Sequence, residues 1–239
     1  LRDRSGKTPV WKAIADALRG DLAEGRYAPG DKLPTEAALA ARFGVNRHTV
    51  RHGVSALVEE GLVRSRRGAG TFVAATPTDY PIGKRVRFHE NLIAAGRTPA
   101  RRVLHLEERL ASEGEAEVLG LAPGESVCAC GGLSLADGQP IAVFESVFPL
   151  SRLSGITEAL ARSSSVTEAL KSAGVADYTR ASTRLTAVRA TATQALHLRA
   201  SEGDPLLRSS AVNVDATGVP VEYGRTWFVG DRVTLTLEG

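Results

Sequence analysis

Along the first third of the chain, apolar residues recur every three to four positions and then give way to two short apolar runs. Val10, Ile14, Leu18 and Leu22 predict a helix over residues 10–24 with one buried stripe, ended by Gly25. The turn Tyr27-Ala28-Pro29-Gly30-Asp31 follows. Thr35 stands before Glu36 and residues 37–43 as an N-cap, because its hydroxyl can accept from a free backbone N–H of the first turn. Gly44 suits the left-handed position after that helix. Asn46 caps the next helix, residues 47–60, whose expected buried side is Val50, Val54, Leu57 and Val58. Its other side carries Arg47, His48, Arg51, His52 and Ser55. Gly61 stops it, and strands at 62–65 and 71–73 flank Arg66-Arg67-Gly68-Ala69-Gly70. The pattern is that of a winged helix-turn-helix.

Residues 74–83 are rich in Ala, Thr and Pro, show neither period, and read as a linker. Beyond them the chain repeats itself. FHENLIAAG at residues 88–96 recurs as VTEALKSAG at 166–174, 78 residues later. Ala116/Ala195, Leu119/Leu198, Gly124/Gly203 and Val127/Leu206 recur at 79 residues, and Gly138/Gly218, Pro140/Pro220 and Ile141/Val221 at 80. Each half reads helix, strand, short helix, hairpin. The expected elements are 88–95, 100–107, 114–120, 126–135 and 141–148, then 166–173, 178–188, 193–199, 206–214 and 220–228, with a last strand at 232–237. Two such halves build one mainly antiparallel sheet with helices on it, an α+β domain. The predicted division is 1–75 for the winged helix, 76–83 for the linker and 84–239 for the duplicated domain.

Charge sharpens the division. Residues 1–75 hold 13 Lys/Arg against 8 Asp/Glu, and the remainder 17 against 19. A basic small domain joined to a mildly acidic one points to nucleic acid as the partner of the first alone. No apolar run approaches the roughly 18–20 residues of a membrane span. The first residues are charged with no apolar segment after them, so no signal peptide is expected and the chain is placed in the cytoplasm. Cys128 and Cys130 cannot build a disulfide framework and lack partners at metal-site spacing. No Ser/His/Asp set, HExxH or Walker loop is present, so neither an enzyme nor a cofactor or metal is expected.

Arg47 and Arg51 are the natural candidates for guanine or phosphate contacts and Thr49 for a phosphate or thymine methyl. The loop of arginines and glycines lets backbone approach a phosphate while Arg enters a minor groove. The stretch PGDKLPTEAALAARFGVNRHTVRHGVSALVEEGLVRSRRGAGTFV resembles the DNA-binding domain of the GntR superfamily of bacterial transcription regulators. The resemblance implies operator contacts at Arg47, His48, Thr49 and Arg51 and a wing tip at Arg67 and Gly68. With Thr35, Arg66, Gly70 and Thr71 these make the expected DNA-binding set. Ala37 departs from the pattern, since many members carry Arg there. A half-site reader of this kind implies a homodimer on an inverted repeat of double-stranded operator DNA.

Residues 80–238 resemble the UTRA-type effector domain of the HutC branch of that superfamily, which has a chorismate-lyase-like fold. Within the branch, PLLRSSAVNVDATGVPVEYGRTWFVGDRVTLTLE, RFHENLIAAGRTP and DYTRASTRLTA resemble the regulators of phosphonate utilisation. The implied function is a ligand-responsive regulator, a repressor released by a small anionic phosphonate or phosphate. A sugar phosphate, a carboxylate or an amino-acid derivative is the other reading. Glu145 and Arg225 are equivalent positions of the two halves, in strands of apolar context. They form either a site for a zwitterion or a structural pair bridging the halves. The resemblance implies a ligand contact at Glu145 and a phosphate at the helix start Arg87-Phe88-His89. Tyr178, Arg180, Ser182 and Arg184 are expected on one strand face, either solvated or lining an anion pocket, and Tyr223 shares a face with Arg225. Gly132 and Ser134 stand where sugar-phosphate-binding relatives often carry arginines.

Overall fold

Side-chain caps start the helices where the sequence places them. In the computed structural model, which describes residues 9–66, 68–74, 77–83, 85, 88–163 and 165–237, the N-terminal unit is Leu1–Thr76. It runs α1 (Val10–Ala23), α2 (Glu36–Phe43), α3 (Arg47–Glu59), β1 (Val63–Arg66) and β2 (Gly70–Val73). Thr35 accepts from Ala38 N–H, Gly44 takes φ 66°, and Asn46 accepts from Thr49 N–H. Ile14, Leu18, Leu39, Val50, Val54 and Leu57 meet in one core. Two expected core positions lie outside it: Val10 and Val58 are exposed. The place of Val58 is taken by Gly53, where α1 crosses α3 so closely that a Cβ would stand 2.9 Å from the Trp11 carbonyl oxygen. Asp21, buried on α1, joins Arg42 of α2 and Arg26 beyond α1. The wing gains a third segment, because Lys32 bridges to Phe72 and Leu33 N–H donates to Thr71 O.

The second unit is Pro77–Gly239. Part of the expected linker is structure: β3 (Thr78–Pro81) pairs in parallel with the last strand. Its alternation of buried Thr78 and Tyr80 with exposed Asp79 and Pro81 is too short to stand out in a Pro- and Thr-rich stretch. The chain continues as α4 (Phe88–Ala94), β4 (Pro99–Leu110), α5 (Glu113–Leu119), β5 (Ser126–Ala136), β6 (Gln139–Pro149), α6 (Ile156–Arg162), α7 (Val166–Ser172), β7 (Tyr178–Arg189), α8 (Ala192–Leu198), β8 (Pro205–Asp215), β9 (Pro220–Val229) and β10 (Val233–Thr236). Helix α6 has no counterpart in the expected list. It lies in the connection between the repeats, where no periodic template continues.

The six main strands lie in the order β4-β5-β6-β9-β8-β7, all antiparallel. The repeat read from sequence is therefore a two-fold arrangement whose axis passes between β6 and β9. That seam is a register of six pairs, Ala142↔Phe228 to Val147↔Tyr223, with Glu145 opposite Arg225. Matching arginines fasten it. Arg152 donates to Leu119 O, Gly120 O and Pro220 O, and Arg232 to Leu198 O, Arg199 O and Pro140 O. Each satisfies the last carbonyls of its own half's short helix and holds the hairpin of the other half. The helices α5 and α8 also start alike, with capping boxes Ser112/Glu115 and Thr191/Gln194.

Bulges interrupt both edge strands, between Val103 and His105 on β4 and between Arg180 and Ser182 on β7. An inserted residue reverses which side chains face which side. Gly132 answers the first bulge: a Cβ there would stand 2.1 Å from Arg102 O, so an arginine at this position is sterically excluded.

Glu115 differs from its counterpart Gln194 in charge. Hydrogen bonds from Arg109, at 2.7 and 2.8 Å, hold its carboxyl at about 2, below the ordinary 4.5, while burial opposes the shift. A lowered folded-state pKa adds stability above the unfolded value and loses it as pH falls toward the folded one. Glu115→Gln keeps the cap and removes the charge. We expect it to cost about 2 kcal/mol at pH 7, with the gap to the parent protein narrowing from about pH 4.5 downward. Urea unfolding of both proteins across that range measures it; a gap independent of pH would contradict the assignment.

Candidate nucleic-acid interface and effector cavity

In the N-terminal unit, the first turns of α3 present Arg47 and His48 to solvent, with Thr49 half-buried. Thr49 Oγ1 donates to Asn46 Oδ1 at 3.0 Å, so cap and candidate contact share one bond network. Thr35 is exposed but spends its oxygen on Ala38 N–H. Arg51 is exposed and paired with both carboxylate oxygens of Glu36, at 2.9 and 2.7 Å. His52 stacks on Trp11 with ring centroids 4.3 Å apart, which ties it to the α1–α3 packing. On the wing, Ser65 and Thr71 share a hydroxyl bond at 3.1 Å, and Gly68 and Gly70 take φ 77° and 112°. The Arg66 guanidinium lies 4.9 Å from the Phe72 ring centroid. Arg67 lies outside the described residues. Lys32 was missed in the sequence; it runs beside Gly70, where a Cβ would come within 2.7 Å of its Cε. Its place in the PGDKLPTE stretch, just before the helix pair, was the available signal.

In the second unit a cavity of about 300 Å³ opens between one sheet face and α4, α7 and β3. Of the predicted effector residues, Phe88, His89, Tyr178 and Arg180 line it. Arg87 lies outside the described residues. Glu145, Arg225, Tyr223 and Arg184 do not line the cavity. The register aligns Arg184, Ser210, Arg225, Glu145, Gly131 and His105 in one row across all six strands, on the opposite face. Glu145 and Arg225 bond directly at 2.8 Å, in a shallower hollow with His105, Glu107 and Arg109. The two side chains thus bridge the halves across the β6–β9 seam, outside the larger cavity. Arg184 was misplaced because the bulge after Arg180 reverses the alternation, and nothing in the residue string marks that insertion.

The cavity carries charges the sequence reading passed over. Arg101 projects into it with its Cζ 3.6 Å from the Phe144 ring centroid. Its Nε is buried without a hydrogen-bond partner, and no ion pair joins it to another described residue. Burial lowers its pKa from the ordinary value, and the charge of Glu222 opposes that shift. Glu222 is buried and accepts from Ser146 Oγ at 2.7 Å and Asn213 Nδ2 at 2.6 Å. Asn213 Oδ1 accepts from Arg180 Nε at 3.5 Å. Tyr178 and Thr167 share a hydroxyl bond at 2.9 Å. Burial first, and the charge of Arg101 after it, lower the His89 pKa from its ordinary value. The strand phase placing Glu222 opposite Tyr223 and Arg225 was legible; which face carried the cavity was not.

Among the described residues no group of three or more His, Cys, Asp or Glu is placed to hold a metal. Cys128 and Cys130 are buried free thiols, and burial raises both pKa values, that of Cys130 to about 11. No described helix is long and apolar enough to cross a membrane.

A winged helix with a basic reading face, on one chain with a duplicated domain holding a polar cavity, defines a ligand-binding transcription regulator. Residues 11–73 match the bacterial regulatory proteins of the gntR family and residues 94–234 match the UTRA domain. The chain belongs to the GntR family, in its HutC branch with a UTRA effector domain, and this is a family of DNA-binding transcription regulators rather than enzymes. It is 38% identical over 99% of its length to 97% of the uncharacterized HTH-type transcriptional regulator RB1450 of Rhizobium meliloti strain 1021. It is 33% identical to the probable transcriptional regulator PhnF of Escherichia coli K12, covering 95% of this chain and 94% of that one. The crystal structure of PhnF from Mycobacterium smegmatis superposes with a TM-score of 0.65 at 27% identity, over 95% of this chain and 98% of that one.

The desolvated guanidinium of Arg101 costs stability in the empty protein, since Nε has exchanged water for no partner. Without ligand, Arg101→Met is expected to be more stable than the parent by about 1 kcal/mol and to melt at a higher temperature. Differential scanning calorimetry measures this; a lower melting temperature would mean the arginine is satisfied as it stands.

Proposed function

We propose that this regulator is a repressor whose operator binding is released by a small anionic metabolite held in the cavity between α4, α7 and the sheet. The observation that carries the reading is Arg101: a cation with a buried, unpartnered Nε beside an open cavity calls for an anionic ligand. A phosphonate or phosphate oxygen would complete its hydrogen bonding, with Arg180 as the second cation. Glu222 gives the cavity an acceptor on the same floor, so the best-fitting ligand pairs its anion with an ammonium, as an aminoalkylphosphonate does. The likeness of the C-terminal strands to regulators of phosphonate utilisation supports that choice over a sugar phosphate.

Arg47, His48, Thr49 and Arg51 face the major groove in this reading, and Thr35, Arg66, Gly68, Gly70 and Thr71 approach phosphates or the minor groove. One recognition helix reads one half-site, so the protein acts as a homodimer on an inverted repeat. Ligand acts by binding one conformational state better than another.

The test uses the full chain and a duplex recovered from a random library by repeated selection. An aminoalkylphosphonate at about 100 times its Kd stabilises the protein by about 2.7 kcal/mol and releases the duplex. Arg101→Met abolishes both responses but keeps duplex binding. Arg47→Ala weakens the duplex at least about tenfold and keeps the thermal shift. Release by glucose 6-phosphate or glutamate, with no response to phosphonates or phosphate, would refute the ligand assignment.

A further inference from the structure

We propose that Glu36 is a positioning residue for DNA recognition: it presents one edge of the Arg51 guanidinium to a guanine and cancels the charge that would otherwise hold the protein on any duplex. The proposal rests on the DNA-facing role given above to the first turns of α3.

The guanidinium is planar and offers two usable edges, one made by Nε with one Nη and one made by the two Nη atoms. Glu36 occupies the first. Arg51 Nε donates to its Oε1 at 2.9 Å and Nη2 to its Oε2 at 2.7 Å. The two-Nη edge remains, and two parallel N–H groups match guanine O6 and N7. An exposed arginine samples many rotamers; this one is held by two charge-assisted bonds from a second helix. Glu36 itself is fixed, because it is the first residue of α2, directly after the Thr35 cap.

The carboxylate stands within the basic cluster. Hydrogen bonding from Arg51 comes first in lowering the Glu36 pKa, and the charges of Arg47 and His48 add to it. It is ionised at neutral pH, so Glu36 and Arg51 together present little net charge to a phosphate backbone. Non-specific affinity scales with the phosphates a protein neutralises. The pair therefore lowers attraction to arbitrary sequence while keeping a fork that reads a base. Ala37 is consistent with this economy of charge, as it adds no cation beside Glu36.

Fluorescence anisotropy of the full chain on the selected duplex and on a scrambled duplex of equal length, at several salt concentrations, tests this. Glu36→Gln is expected to bind the scrambled duplex more tightly, with the salt slope steeper by about 0.9. Its ratio of selected to scrambled affinity falls by about tenfold or more. Arg51→Lys keeps the charge and loses the fork; it weakens the selected duplex alone. A Glu36→Gln protein whose two affinities fall together with its melting temperature would make Glu36 a structural strap and overturn the proposal. Unchanged affinities for both duplexes would overturn it as well. If Arg51→Lys and Arg47→Ala both bind the selected duplex normally, the fault lies with the placement of the reading face.

Discussion

The carbonyl ends of two short helices govern the second unit. Helices α5 and α8 stop against the sheet with their last C=O groups turned inward, where bare carbonyls are costly. Arg152 and Arg232 resolve this twice, each serving two helix-end carbonyls and one proline carbonyl across the seam. Within the six-stranded sheet the halves join through a six-pair register between β6 and β9, and these bonds reinforce that seam. The floor of the cavity, from Glu222 on β9 to Ser146 on β6, is positioned by that seam.

Much of this is legible in the sequence. Thr35, Asn46 and Gly44 marked helix ends because cap chemistry is local and needs one or two residues to act. The repeat was legible because its markers punctuate the hairpins: Gly138 and Gly218 take φ 77° and 85° in the turns, and Pro140 and Pro220 stand at the starts of the strands that follow. The cavity was half legible. Phe88, His89, Tyr178 and Arg180 were found, whereas Arg101 and Glu222 were not. Alternation along a strand sorts residues into two faces without saying which one helices will cover. Glu145 and Arg225 drew attention as opposite charges at equivalent positions, and that same equivalence let them bond to each other. A bulge shifts one residue and leaves no compositional trace, so Arg184 was grouped with Arg180 although the register separates them.

The two units handle arginine in opposite ways. In the first turns of α3, Arg51 is exposed and already paired with Glu36, so its charge is largely offset. In the cavity, Arg101 is desolvated and its Nε unpaired, so charge is withheld from protein partners and left for something else. Both follow from whether a carboxylate lies within reach.

Duplication normally delivers identical walls, and a two-fold cradle cannot tell the front of a molecule from its back. Here the equivalent positions have diverged. Taking the 80-residue offset, Phe144 corresponds to Gly224 and Ala142 to Glu222; taking the two bulges as equivalent points, Arg101 corresponds to Tyr178. The cavity is thereby polarised. The same molecule entered head-first and tail-first meets different chemistry.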